Sequence, residues 1–128
     1  MSHHIVICDD EAHILRAVEF KLKRAGFDVR CANDGQEAWE LVLERAPDLI
    51  VADCQMPYMD GLTLSRNLRE NQLTAHIPVI MLTAKGFELS HRELNEKYGI
   101  LAVVSKPFSP RLLLQRIELV LSERPVLV

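Results

Sequence analysis

The chain has 128 residues, enough for one domain that buries roughly two thirds of its unfolded surface and needs no cross-link to hold its core. Charged residues make up 26% and apolar ones 48%, near the globular average, which excludes a disordered, collagen-like or coiled-coil chain. Lys and Arg number 15 against 18 Asp and Glu, a net charge of -3, so no diffuse positive field is available to hold DNA.

Short β-branched runs alternate five times with longer stretches of helical period, the pattern of βαβ units around a parallel sheet. The first strand is expected over His4–Cys8. Its run IVIC, like LIVA and VIML further on, has no polar face and fits a central strand covered on both sides. Ile14, Val18 and Leu22 then recur at i, i+4 and i+8, a helix stopped near Ala25-Gly26. A second strand over Asp28–Ala32 leads through the turn Asn33-Asp34-Gly35 into a helix marked by Ala38, Leu41 and Val42, which ends before Pro47. The third strand is expected over 48–52, followed by a helix on Leu62, Leu64 and Leu68, and the fourth strand over 78–82. The fourth helix, 88–98, is polar and weakly patterned, anchored by Leu89 and Leu94, and so the least firmly packed. After a fifth strand over 101–105, Ser109-Pro110 reads as an N-cap followed by proline at the first helical position. The helix it opens carries Leu113, Ile117, Val120 and Leu121 on one face.

No linker, repeat or low-complexity run interrupts this, so a single domain without an effector module is expected over 1–128. The apolar tail Val126-Leu127-Val128 either docks on the domain or begins a continuation. The three cysteines, Cys8, Cys31 and Cys54, cannot all pair with one another and sit in or beside apolar runs, as reduced thiols do. The start MSHHIVICDDE lacks the pattern of a signal peptide, and no segment approaches the roughly 20 apolar residues of a membrane span. A cytoplasmic protein that neither enters nor crosses a membrane is expected.

In an open parallel sheet, ligands sit outside the carboxyl ends of the strands, which makes the residues ending each run the first place to look for chemistry. These are Asp9-Asp10-Glu11, Asp53, Thr83 and Ser105-Lys106-Pro107. Taken singly, each has a structural explanation: an aspartate capping a helix, a threonine capping the next, a solvated lysine before a turn. Together they do not. Two unit charges about 4 Å apart repel by roughly 4 kcal/mol at an effective dielectric of 20, so carboxylates gathered on one edge need a cation. Lys106 supplies one. Oxygen donors without His or Cys select a hard ion, and Mg²⁺ suits two or three carboxylates beside a phosphoryl group. A carboxylate, a hard cation, a hydroxyl and an ammonium form a set able to accept a phosphoryl group on aspartate.

With DDE at 9–11, DCQMPYMDG at 53–61, LTA at 82–84 and SKPF at 105–108, the sequence resembles the receiver domain of two-component response regulators over nearly its whole length. The resemblance implies a flavodoxin-like (βα)5 fold, a doubly wound parallel sheet in the order 2-1-3-4-5. It implies Asp53 as the phosphoacceptor. Mg²⁺ would be held by Asp10, Asp53 and the Gln55 backbone carbonyl, with Asp9 acting through water, while Thr83 and Lys106 would hold the phosphoryl oxygens. A cis Lys106-Pro107 bond is implied as well. So are a histidine kinase or histidine phosphotransfer protein as donor, and a downstream protein partner reading the face of helix four, strand five and helix five. Such a domain catalyses only its own phosphorylation and dephosphorylation.

Some positions depart from the family pattern. Val103 stands where most receivers carry Tyr or Phe, which puts the usual threonine-aromatic switch in doubt, and Leu101 and Ala102 make the fifth strand unusually apolar. Gln55 and Lys85 lie where receivers tune the lifetime of the phosphoryl group, and read equally well as solvated loop side chains. Gln55 also argues against a phosphohydrolase of the haloacid dehalogenase type, which needs an acid two residues after its nucleophile. A flavodoxin-like FMN site is disfavoured because Asp9, Asp10 and Glu11 occupy the place of a phosphate loop. Of the five histidines, only His13 falls within a helical turn of the acidic edge.

Overall fold

A computed structural model describes residues 3–84 and 91–123. Strands β1 (His4–Cys8), β2 (Asp28–Ala32), β3 (Leu49–Asp53), β4 (Val79–Thr83) and β5 (Ile100–Ser105) alternate with helices α1 (Ala12–Arg24), α2 (Gly35–Glu44), α3 (Gly61–Glu70), α4 (His91–Tyr98) and α5 (Pro110–Glu123). The strands form one parallel sheet in the order β2-β1-β3-β4-β5. This is the flavodoxin-like doubly wound arrangement that the resemblance implied.

The three runs without a polar face are the three central strands, buried at every position. Because side chains alternate across a strand, each run supplies two cores. Val6, Cys8, Ile50, Ala52 and Met81 pack with Leu64, Leu68 and Leu94 of α3 and α4. Ile5, Ile7, Val51, Ile80 and Leu82 pack on the other face with Leu15, Leu22, Leu113 and Ile117 of α1 and α5. The edge strands are half-covered: β2 leaves Asp28 and Arg30 exposed, and β5 leaves Leu101 exposed.

Strands β1 and β2 fall where the sequence places them, whereas β3 and β4 lie one residue later and β5 begins one residue earlier. Asp48 stays outside β3, where its carboxylate accepts from the His4 backbone N–H at 2.7 Å, and the strand instead runs on to include Asp53. On α1 the buried stripe is Leu15, Val18 and Leu22, with Ile14 half-buried beside it, and Gly26 at φ 97° turns the chain after the helix. Asp34 and Asp60 cap α2 and α3, accepting from the backbone N–H groups of Glu37 and Thr63. Ser109 Oγ accepts from the Leu112 N–H, as its place before Pro110 suggests. For α4 the observed bounds begin at His91; the expected start at 88, with Leu89, and the tail 126–128 lie outside the described residues. Tyr98 joins Leu94 as a buried anchor of that helix. Among the described residues no helix is long and apolar enough to cross a membrane.

Candidate functional site

The parallel register delivers the ends of β1, β3, β4 and β5 to one edge, with Asp53 opposite Leu82 and Thr83 opposite Ser105. Lys106 follows β5 directly. Its backbone N–H donates to the Thr83 carbonyl at 2.8 Å, and the Lys106-Pro107 bond is cis. The β3–α3 loop is held by the Cys54 N–H on the Leu82 carbonyl (2.8 Å) and the Gly61 N–H on the Cys54 carbonyl (2.9 Å). Within it Tyr58 adopts φ 68°, rare for a bulky residue, and is 90% exposed.

Lys106 is the electrostatic centre of the edge. Its Nζ donates to Asp53 Oδ2 at 3.1 Å and to Glu11 Oε1 at 3.0 Å, and lies 2.9 Å from Asp9 Oδ2. The last contact is an ion pair without hydrogen-bond alignment, so Asp9 Oδ2, fully buried, has no aligned donor. Its other oxygen accepts from the Glu11 N–H at 2.9 Å, while Glu11 itself stands at the N-cap of α1 with no side-chain cap bond. Neither Asp9 nor Asp10 therefore serves as that helix's cap.

Oxygens of Asp9, Asp10, Glu11 and Asp53 come within 4.8 Å of one another. Burial, and next the charge of Asp9, push the Asp53 carboxyl above its usual value, against the opposing pull of Lys106 and the Gln55 backbone N–H. Burial by itself would lower the Lys106 ammonium, but its close contacts with the carboxylates of Asp9, Glu11 and Asp53 more than reverse this and leave it raised. Four carboxylates face one ammonium, and one buried carboxylate oxygen lacks an aligned donor. That donor set, all oxygen and anionic, fits a hard divalent cation.

Asp10, Glu11, Asp53, Gln55, Thr83 and Lys106 all line one cleft of about 430 Å³, large enough for a phosphoryl group and its water. With buried Asp9 behind Lys106, every site residue expected from the sequence within the described residues meets here. Lys85 lies outside them. Glu11, named in the sequence among the strand-end residues but given no role there, is the one the structure adds to the Lys106 contacts. Its signal was its place two residues after Asp9, at the start of a helix facing the same edge. Among the described residues His13 pairs with Glu11, at 3.7 Å, and His4 is buried at the opposite end of β1. Cys8 and Cys54 are raised above the usual thiol value chiefly by burial, so they are poor nucleophiles.

Residues 5–118 match the response regulator receiver domain family. The chain belongs to that family. Among solved receiver domains it is similar to the chemotaxis response regulator CheY4 of Vibrio cholerae, at 28% identity and TM-score 0.84 over 94% of this chain and 99% of that one. It is also similar to the receiver domain of the Francisella response regulator 1452, at 30% identity and TM-score 0.80, covering 94% and 98% of the two chains. A third similarity is to the signal receiver domain of a signal transduction histidine kinase from Syntrophus aciditrophicus, at 27% identity and TM-score 0.83 over 99% and 97%. The protein is thus a receiver domain of two-component signalling, and the acidic cleft lies at the strand ends of that fold.

Proposed function

We propose that this receiver is a phosphoacceptor switch, charged at Asp53 by a histidine kinase or a histidine phosphotransfer protein, in the cytoplasm. The observation that carries this reading is Asp53 itself: a buried carboxylate ending β3, 3.1 Å from the Lys106 ammonium and open to the cleft. An Asp53 oxygen forms the new bond to phosphorus as the phosphorus–nitrogen bond to the donor's imidazole breaks, and the nitrogen keeps the electron pair. Lys106 neutralises a phosphoryl oxygen, and the Thr83 hydroxyl donates a hydrogen bond to another. Asp10, Asp53 and the Gln55 carbonyl would hold Mg²⁺, with Asp9 acting through water; the ion would supply charge neutralisation at the phosphoryl oxygens. The domain promotes its own phosphorylation and dephosphorylation only, since Gln55 provides no general acid for turning over external esters.

Output passes to a protein partner through α4, β5 and α5. Val103, half-buried against the core beside α4, is too small and too stiff at χ1 to swing as a reporter, so α4 itself is the element that shifts.

Acetyl phosphate with Mg²⁺ is expected to add one phosphoryl group, seen by intact-mass spectrometry, and Asp53→Asn to abolish it. An equal, base-labile gain in Asp53→Asn would refute the assignment. Asp10→Asn should weaken Mg²⁺ binding by at least the roughly 10-fold that losing an outer-shell partner costs, read by calorimetry.

A further inference from the structure

An ammonium has three N–H donors and no acceptor. Lys106 already meets three carboxylates within 3.1 Å, from Asp9, Glu11 and Asp53, and only 13% of its side chain is exposed. A phosphoryl group on Asp53 replaces one negative charge by about 1.5 to 2 and adds strong acceptor oxygens beside that same ammonium. The phosphoryl oxygens outnumber the single Asp53 acceptor they replace, so they compete with the two remaining carboxylates for that ammonium, and the more loosely held of these is the one to yield. Asp9 is not free to do so: it is fully buried, and without Lys106 its Oδ2 would be an uncompensated buried charge. Glu11 differs. Its side chain is 47% exposed, its second oxygen faces His13 across 3.7 Å, and water takes over whatever it releases at little cost.

We infer that Glu11 is the displaceable partner of Lys106: it holds the ammonium in the unphosphorylated site and competes for it with the phosphoryl oxygens. Glu11 is a positioning residue, acting through Lys106 rather than on phosphorus. The inference rests on Asp53 being the phosphoacceptor. It goes beyond that reading by giving this chain a built-in brake, one whose strength depends on the reach of a single side chain from the start of α1.

Two variants separate the effect of charge from the effect of reach. Glu11→Gln removes the charge; Glu11→Asp keeps it but is one methylene short of Lys106. Beryllofluoride affinity is measured at Mg²⁺ concentrations that saturate each variant, and the Lys106 ammonium resonance is followed by nitrogen-15 NMR before the mimic is added. Both variants are expected to bind beryllofluoride roughly two- to fivefold more tightly than the parent, the range of a half-exposed ion pair, and to shift the Lys106 resonance. Unchanged or weaker binding in both would overturn the inference. So would tighter binding in Glu11→Gln alone, since general charge relief would then explain it. Failure of the phosphoacceptor reading is separately visible, because Asp53→Asn in the parent background would then still take up phosphoryl from acetyl phosphate.

Discussion

The guanidinium of Arg66 on α3 donates to the hydroxyl of Tyr98 on α4 at 3.3 Å, with its carbon 5.6 Å from the centroid of the same ring. Along α4 only Leu94 and Tyr98 are buried among residues 92–98, so this contact ties down half of the helix's attachment. Arg66→Ala is expected to speed hydrogen exchange in 91–98 several-fold while leaving β1, β3 and β4 protected. Identical exchange in the parent and the variant would show that Leu94 holds the helix unaided.

Lys106→Ala should destabilise the domain by about 3 kcal/mol in urea unfolding, because it strands the buried Asp9 carboxylate without a counter-charge. Added Mg²⁺ should return more stability to the variant than to the parent, since in the variant the ion is the only compensation left. A loss below about 1 kcal/mol would mean that Asp9 does not depend on Lys106 for its compensation.

Asp53→Asn is expected to raise the melting temperature of the metal-free domain by a few degrees at pH 7. Burial and the Asp9 charge hold the native Asp53 carboxyl above the ordinary value of 3.8, so its ionised form costs stability once the pH exceeds the native value. That cost fades as pH falls through the native value and is absent well below 3.8, where folded and unfolded chains are both protonated. Thermal scans should therefore show a gain at neutral pH that shrinks toward acid. A gain that grew toward acid would reverse the sign of the shift.

Gly61 opens α3 close against the end of β3. A methyl group there would run into the Asp53 backbone carbonyl and come within 2.8 Å of Met81 Sδ. The carbonyl belongs to a central strand and has little freedom to withdraw, so Gly61→Ala should cost about 1 to 3 kcal/mol and slow phosphorylation by displacing Asp53. Urea titration and acetyl phosphate labelling would read the two effects, and parent-like values in both would mean the loop absorbs the methyl group.

The sequence reveals the sheet because covered strands announce themselves: IVIC, LIVA and VIML have no polar face, and all three are central. It reveals the site because strand ends in a parallel sheet point one way, which gathers Asp9, Asp53, Thr83 and Lys106 whatever the helices do. Side-chain reach is harder to read. Glu11 and Lys106 are 95 positions apart, and nothing in the spacing of either tells which carboxylate the ammonium will choose. Nor does the period of α4 identify Tyr98 as an anchor, because the partner that fixes it is a side chain on another helix.

The Lys106 contacts with Glu11 and Asp53 close over separations of 95 and 53 residues. Contacts over such separations carry a large loop-closure cost, which the docking of the intervening strands offsets by bringing their ends together. The cleft therefore does not exist in a nascent or half-folded chain: without β5 beside β4, Asp53 has no ammonium to face. Assembly of the cleft and seating of the last strand beside β4 are thus one structural event.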